Sequence, residues 1–150
     1  MHRLMFVPLA ALVAAAPLQA KAKPADLKWG PAPDALPAGA EMAVVSGDPG
    51  KKGMFTVELK MPADYAVPAH HHPTAETVKV LSGKLHYGMS DKLDMAKAKT
   101  LTSGNAVTMK AKVNHWVHAP DAATIQVSGM GPFAITYVDP KDDPRNKKQR

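Results

Sequence analysis

Cysteine is absent from the 150 residues, and that absence removes several chemistries together. No disulfide framework, thiolate metal site or cysteine nucleophile is available. A lipid-anchored N-terminus is excluded too, because a lipobox needs a cysteine. The compartment stays open on this ground, since oxidising compartments permit disulfides without requiring them. Long apolar runs are also missing. The stretch from Leu4 to Leu18 is broken by Pro8 and Pro17 and is shorter than the roughly 20 residues a helix needs to cross a bilayer. Aromatic residues are few, at 5%. They are not interleaved with basic residues, as a nucleic-acid interface would want.

What does stand at the N-terminus is a secretory pattern. His2 and Arg3 give a positive start, the apolar stretch follows, and small residues close it at Ala20 and Ala22. This is the order of a signal peptide. Residues 1–20 are expected to be cleaved after Ala20, with Ala22 as the alternative, which makes the mature protein periplasmic or secreted. No stable membrane span then remains. The formal net charge is +6, and much of the excess lies in Lys141, Arg145, Lys147, Lys148 and Arg150. Residues 140–150 are therefore expected to form a basic, flexible tail. Nucleic acid is not an expected partner.

Residues 21–40 carry Pro24, Pro31, Pro33 and Pro37 and are expected to be an extended arm, with Trp29 docking on the domain surface. From Met42 onward the pattern changes to short apolar or alternating runs, each closed by Gly, Pro, Asn or Asp. They are Met42–Ser46, Met54–Lys60, Glu76–Leu81, Lys84–Met89, Ala106–Met109, Val113–Ala119, Thr124–Ser128 and Phe133–Val138. Enrichment in Val, Thr, Ile and aromatics favours strands. Many short strands mean a sandwich or a barrel. Asp91–Lys99, with Leu93, Met95, Ala96 and Ala98 among lysines, fits a helical turn or two, or a crossing loop. No internal repeat is present. The nine methionines lack the close spacing of a copper site and read as core filling.

Five histidines fall in two tight groups, His70-His71-His72 and His115…His118. Imidazole is the commonest metal ligand. Side chains at i and i+2 of an extended segment share a face, so His70 and His72 converge while His71 points away. Glu76 shares their parity. Two imidazoles beside a carboxylate make a mixed nitrogen and oxygen set that suits one divalent ion: Fe, Mn, Zn, Ni or Co. By parity His118 faces away from His115, and His86 points off the apolar face of Leu85 and Tyr87.

The spacing His70-x-His72-x-x-x-Glu76, six residues, Gly83 resembles the first motif of the cupin superfamily. Pro68 and Ala69 replace the glycine that usually precedes it. Gly104 and His115 match the ends of the second motif, with Lys110 and Lys112 where a proline and a glycine usually stand, and Ala119 where an asparagine does. The resemblance covers roughly Met42 to Val138. It implies an all-β fold, an antiparallel β-barrel or jelly-roll-like double-stranded β-helix over residues 41–139, with His115 as a fourth metal ligand. Tyr87 and Trp116 are candidates to line its pocket.

The resemblance leaves function open, because members include dioxygenases, oxalate-degrading enzymes and isomerases as well as proteins that only bind. A metal-dependent, dioxygenase-like oxidoreductase acting on a small molecule is the leading expectation. A non-catalytic barrel that binds or senses a small ligand or metal is the alternative. No catalytic acid or base is identifiable in the sequence, and no organic cofactor is implied. A homodimer through edge strands is an expectation from the resemblance alone.

Overall fold

Along Ala123–Gly131, the residues Ala123, Ile125 and Val127 are buried while Thr124, Gln126 and Ser128 are partly exposed. Such period-two alternation recurs along the chain, because a strand at the face of a sheet turns one side to the core and the other to solvent. A computed structural model describes residues 26–147. The expected signal peptide, the first residues of the arm and the end of the tail lie outside them.

The strands are β1 (Gly30–Pro31), β2 (Glu41–Ser46), β3 (Gly53–Met61), β4 (Tyr65–His71), β5 (Glu76–Ser82), β6 (Lys84–Gly88), β7 (Lys99–Thr102), β8 (Ala106–Met109), β9 (His115–Ala119), β10 (Ala123–Gly131) and β11 (Thr136–Tyr137). Every pairing is antiparallel. One sheet runs β1-β2-β3-β10-β5-β8 and the other β11-β4-β9-β6-β7. The two pack around a shared core that includes Phe55, Val57 and Val80 from the first and Leu85, Val117 and Ala119 from the second.

This is the expected jelly-roll, with one correction. Among the described residues no strand pair joins the sheets, so the expected barrel is not closed by hydrogen bonds. The edge strands are short: β1 and β11 have two residues each, β7 and β8 four. They offer too little backbone to bridge the edges. The apolar faces are buried against each other instead, at about 1.5–3 kcal/mol for each large side chain.

From β1 onward, helix among the described residues is confined to a 3-10 turn at Met95–Lys97, capped by Asp94, and a single turn α1 (Pro144–Lys147). The first falls inside the ambiguous Asp91–Lys99 segment. The second lies in the expected tail, where Arg145 donates to the Ile135 carbonyl. The arm's Trp29 lies beneath the Lys60 ammonium, 3.8 Å from the ring centroid. No helix among the described residues is long and apolar enough to cross a membrane.

Three strands depart from expectation. In the sequence β4 is legible only through its histidines, because Pro68 stands inside it and a proline within a run argues against a strand. The turn before it passes through Asp64, at φ 60. β7 (Lys99–Thr102) is too short and too polar to stand out. The run Phe133–Val138 keeps only Thr136–Tyr137 as strand, because the Phe133 N–H instead bonds the Pro49 carbonyl.

Pro68 marks the feature that aims the site. Val67 pairs with Val117 and His70 with His115, so β4 advances three residues where β9 advances two. One extra residue is a β-bulge, and it flips the face of everything after it. Val67 points into the core before the bulge, and His70 points into it after.

Gly88 pairs with Trp116 on β9, and a Cβ there would meet the indole at 2.6 Å. The Gly88→Ala variant is expected to be destabilised by about 1–3 kcal/mol through overpacking, seen as a lower urea midpoint with an unchanged slope.

Candidate metal centre

His70 and His72 come from the end of β4 and the residue after it, Glu76 opens β5, and His115 opens β9. Their donor atoms all lie within 4.8 Å of one another, and all four side chains are buried, His115 to 1% exposure. The four residues singled out from the sequence are thus brought together from both sheets.

The hydrogen bonds assign the tautomers. His70 Nδ1 lies 2.7 Å from the Pro68 carbonyl, His72 Nδ1 2.7 Å from the Ala134 carbonyl, and His115 Nδ1 2.9 Å from the Val113 carbonyl. A carbonyl oxygen only accepts, so each Nδ1 donates its proton and each neutral ring keeps a bare lone pair on Nε2. Glu76 as carboxylate also only accepts. His115 Nε2 approaches Glu76 Oε1 to 2.8 Å, and His72 Nε2 to 3.4 Å, yet His115 Nε2 has no hydrogen bond of acceptable geometry. In the neutral Nδ1–H tautomer, three ring lone pairs and a carboxylate face one another. A cation satisfies that arrangement, so the donor set fits a divalent metal, with bonds of about 2.0–2.2 Å in the zinc case.

Electrostatics agree. Burial pushes the His70 imidazole down from 6.5 to about 3, with His115 and His72 adding to the effect. The ring is therefore neutral, the form a metal takes. Burial pushes the Glu76 carboxyl up, but a proton or positive charge on the side of His115 and His72 overcomes that and holds it below the ordinary range, a part that a bound cation would also play.

The unusual second motif is resolved by backbone shape. Lys112, standing where the second motif it resembles usually has a glycine, adopts φ 62. Its N–H bonds the His72 carbonyl at 2.8 Å, and the Val113 N–H bonds the Lys110 carbonyl at 3.2 Å. The turn forms without glycine, at a cost of about 1–2 kcal/mol for a left-handed non-glycine residue, and still delivers His115.

Parity also places the neighbours. His71 turns away and donates to Asn114 Oδ1 at 3.0 Å, while Asn114 Nδ2 donates to Asp91. His118 stacks on His86, with centroids 6.0 Å apart. A cavity of about 370 Å³ opens beside the centre, lined by His70, His72 and Glu76 and by aliphatic side chains. Tyr87 and Trp116, the expected pocket residues, are not in its lining. Trp116 faces the other side of β9 and donates to Ser90. The sequence does not point to Phe133, which stacks on His72 at 4.2 Å, or to Arg145 at the rim. Neither carries a local signal, since both arrive on segments that lie outside the paired strands.

Residues 18–136 match the family model of DUF4437, a domain of unknown function. The chain belongs to that family. No curated protein matches it in sequence. Among solved structures it is similar to a provisionally assigned acetylacetone dioxygenase from Methylibium petroleiphilum PM1, with 21% identity, a TM-score of 0.67, and 89% and 90% of the two chains covered. An acetylacetone dioxygenase from Acinetobacter johnsonii gives 14%, 0.64, and 91% and 88%. An RmlC-like cupin from Shewanella frigidimarina NCIMB 400 gives 12%, 0.59, and 75% and 91%. The DUF4437 chain therefore has the cupin fold.

His70→Ala or His72→Ala is expected to remove most of the metal measured by mass spectrometry on untagged protein. His71→Ala should retain it. Separately, Lys112→Gly should raise unfolding stability by about 1 kcal/mol in urea titration while leaving metal content unchanged.

Proposed function

We propose that this DUF4437 chain is an exported, metal-dependent cupin acting on a small molecule by oxygenase-type chemistry, with one divalent ion held by His70, His72, Glu76 and His115. The observation that carries the metal is the convergence of three imidazole Nε2 atoms and a carboxylate, with each Nδ1 turned to a backbone carbonyl. The signal-like N-terminus supports export.

The cavity argues against acid–base chemistry by the chain itself. Its polar lining residues are His70, His72, Glu76 and Arg145. The first three face the centre, and Arg145 is tied to Asp143. Acid–base catalysis needs a positioned group that is free to move a proton, and the lining offers none. A bound ion would supply Lewis acidity and an open coordination position. Around it, the three rings hold neutral nitrogen donors in place through their carbonyl partners, Glu76 offsets part of the charge, and the aliphatic walls exclude water. The dioxygenase names of two structural neighbours favour the oxygenase reading by analogy of fold only.

The lack of a free acid or base in the lining equally favours a second reading, a barrel-like domain that binds its ligand without turnover. Oxygen uptake separates the two. Protein reconstituted with Fe(II) is expected to consume O₂ when given small ketones and diketones, and His72→Ala should abolish this. Ligand binding with no uptake above the metal-only rate would favour the binding reading.

A further inference from the structure

The walls of the cavity restrict its occupant. Val57, Val78, Ile125 and Val127 face it from one sheet, Val67 and Val117 from the other. Among the described residues, Arg145 is the only lysine or arginine in the lining. Its Nε and Nη2 donate to the two Asp143 carboxylate oxygens at 2.8 and 2.7 Å, and Nη2 also donates to the Ile135 carbonyl at 3.1 Å. The guanidinium charge is thereby offset, and its Nε/Nη2 edge is occupied by Asp143 and the Ile135 carbonyl.

We infer that the cavity takes an uncharged, largely apolar molecule and refuses carboxylates. A volume of about 370 Å³ admits about a dozen non-hydrogen atoms at roughly 30 Å³ each, the share of a water in the liquid. An anion entering these walls would lose its hydration with no free cation from the chain to replace it. The roof sets the size limit. Leu36 sits in the turn Pro33–Leu36, and two phenols strap that segment down: Tyr137 Oη donates to the Ala35 carbonyl at 2.7 Å and Tyr65 Oη to the Pro37 carbonyl at 2.6 Å. The inference rests on the reading of this cavity as the small-molecule site, but not on the ion.

The test uses full-length protein stripped of metal by a chelator, so that a carboxylate cannot bind the ion directly. The probes are 5-phenyl-2-pentanone and its carboxylate isostere, 4-phenylbutyrate, titrated by calorimetry. The ketone should bind about tenfold more tightly or better. Leu36→Trp, which fills the roof, should abolish ketone binding. Asp143→Asn, which frees the guanidinium, should strengthen carboxylate binding and narrow the ratio. Equal or tighter binding of the carboxylate, no binding of either probe, or ketone binding unchanged in Leu36→Trp would overturn the inference. An unchanged ratio in Asp143→Asn would overturn the charge argument within it. Metal uptake is measured on the same preparation: ketone binding without metal uptake sinks the metal reading alone, and metal uptake without ketone binding sinks this inference alone.

Discussion

Three imidazole Nε2 atoms and a carboxylate converge in the interior, and the surrounding backbone is arranged to hold them there. Each imidazole proton is held on the far nitrogen by a carbonyl. For His70 and His115 that carbonyl lies two residues earlier in the same segment, at Pro68 and Val113. For His72 it comes from Ala134, on the segment that follows β10. Ring orientation is thus a consequence of backbone shape, as is common where carbonyls fix the tautomer of metal-binding histidines.

Two local irregularities make this convergence possible. The bulge at Pro68 and Ala69 changes which face of β4 looks inward. The left-handed Lys112 turns the chain into β9. Both are departures from regular geometry, and both sit close beside ligands. The regular parts of the sheets contribute differently: they hold the two segments at fixed separation through the shared core, with Leu85 and Val80 fully buried.

The cavity beside the centre owes its character to the same packing. Its walls are the inward faces of both sheets, so they are apolar for the same reason the core is. Its few polar residues are already engaged, the histidines and Glu76 at the centre and Arg145 with Asp143. Chemistry in such a space depends on what a metal supplies and on what the walls admit. The cupin fold alone does not select among the activities it supports.

The period of two in Thr124–Ser128 and its relatives determined the all-β class, because alternation is a property of neighbouring residues in one strand. The histidine spacing likewise named His70, His72 and Glu76, since all three lie within one short segment. His115 was legible only through resemblance, and its convergence with the others depends on β4 and β9 pairing although they lie far apart in the chain. The pocket lining was not legible. Tyr87 and Trp116 were plausible by composition, but strand parity and the close approach of Trp116 to Gly88 put the indole on the other face. Phe133, Ala134 and Arg145 reach the site by long-range packing, and no local pattern in the chain encodes where a segment outside the strands comes to rest.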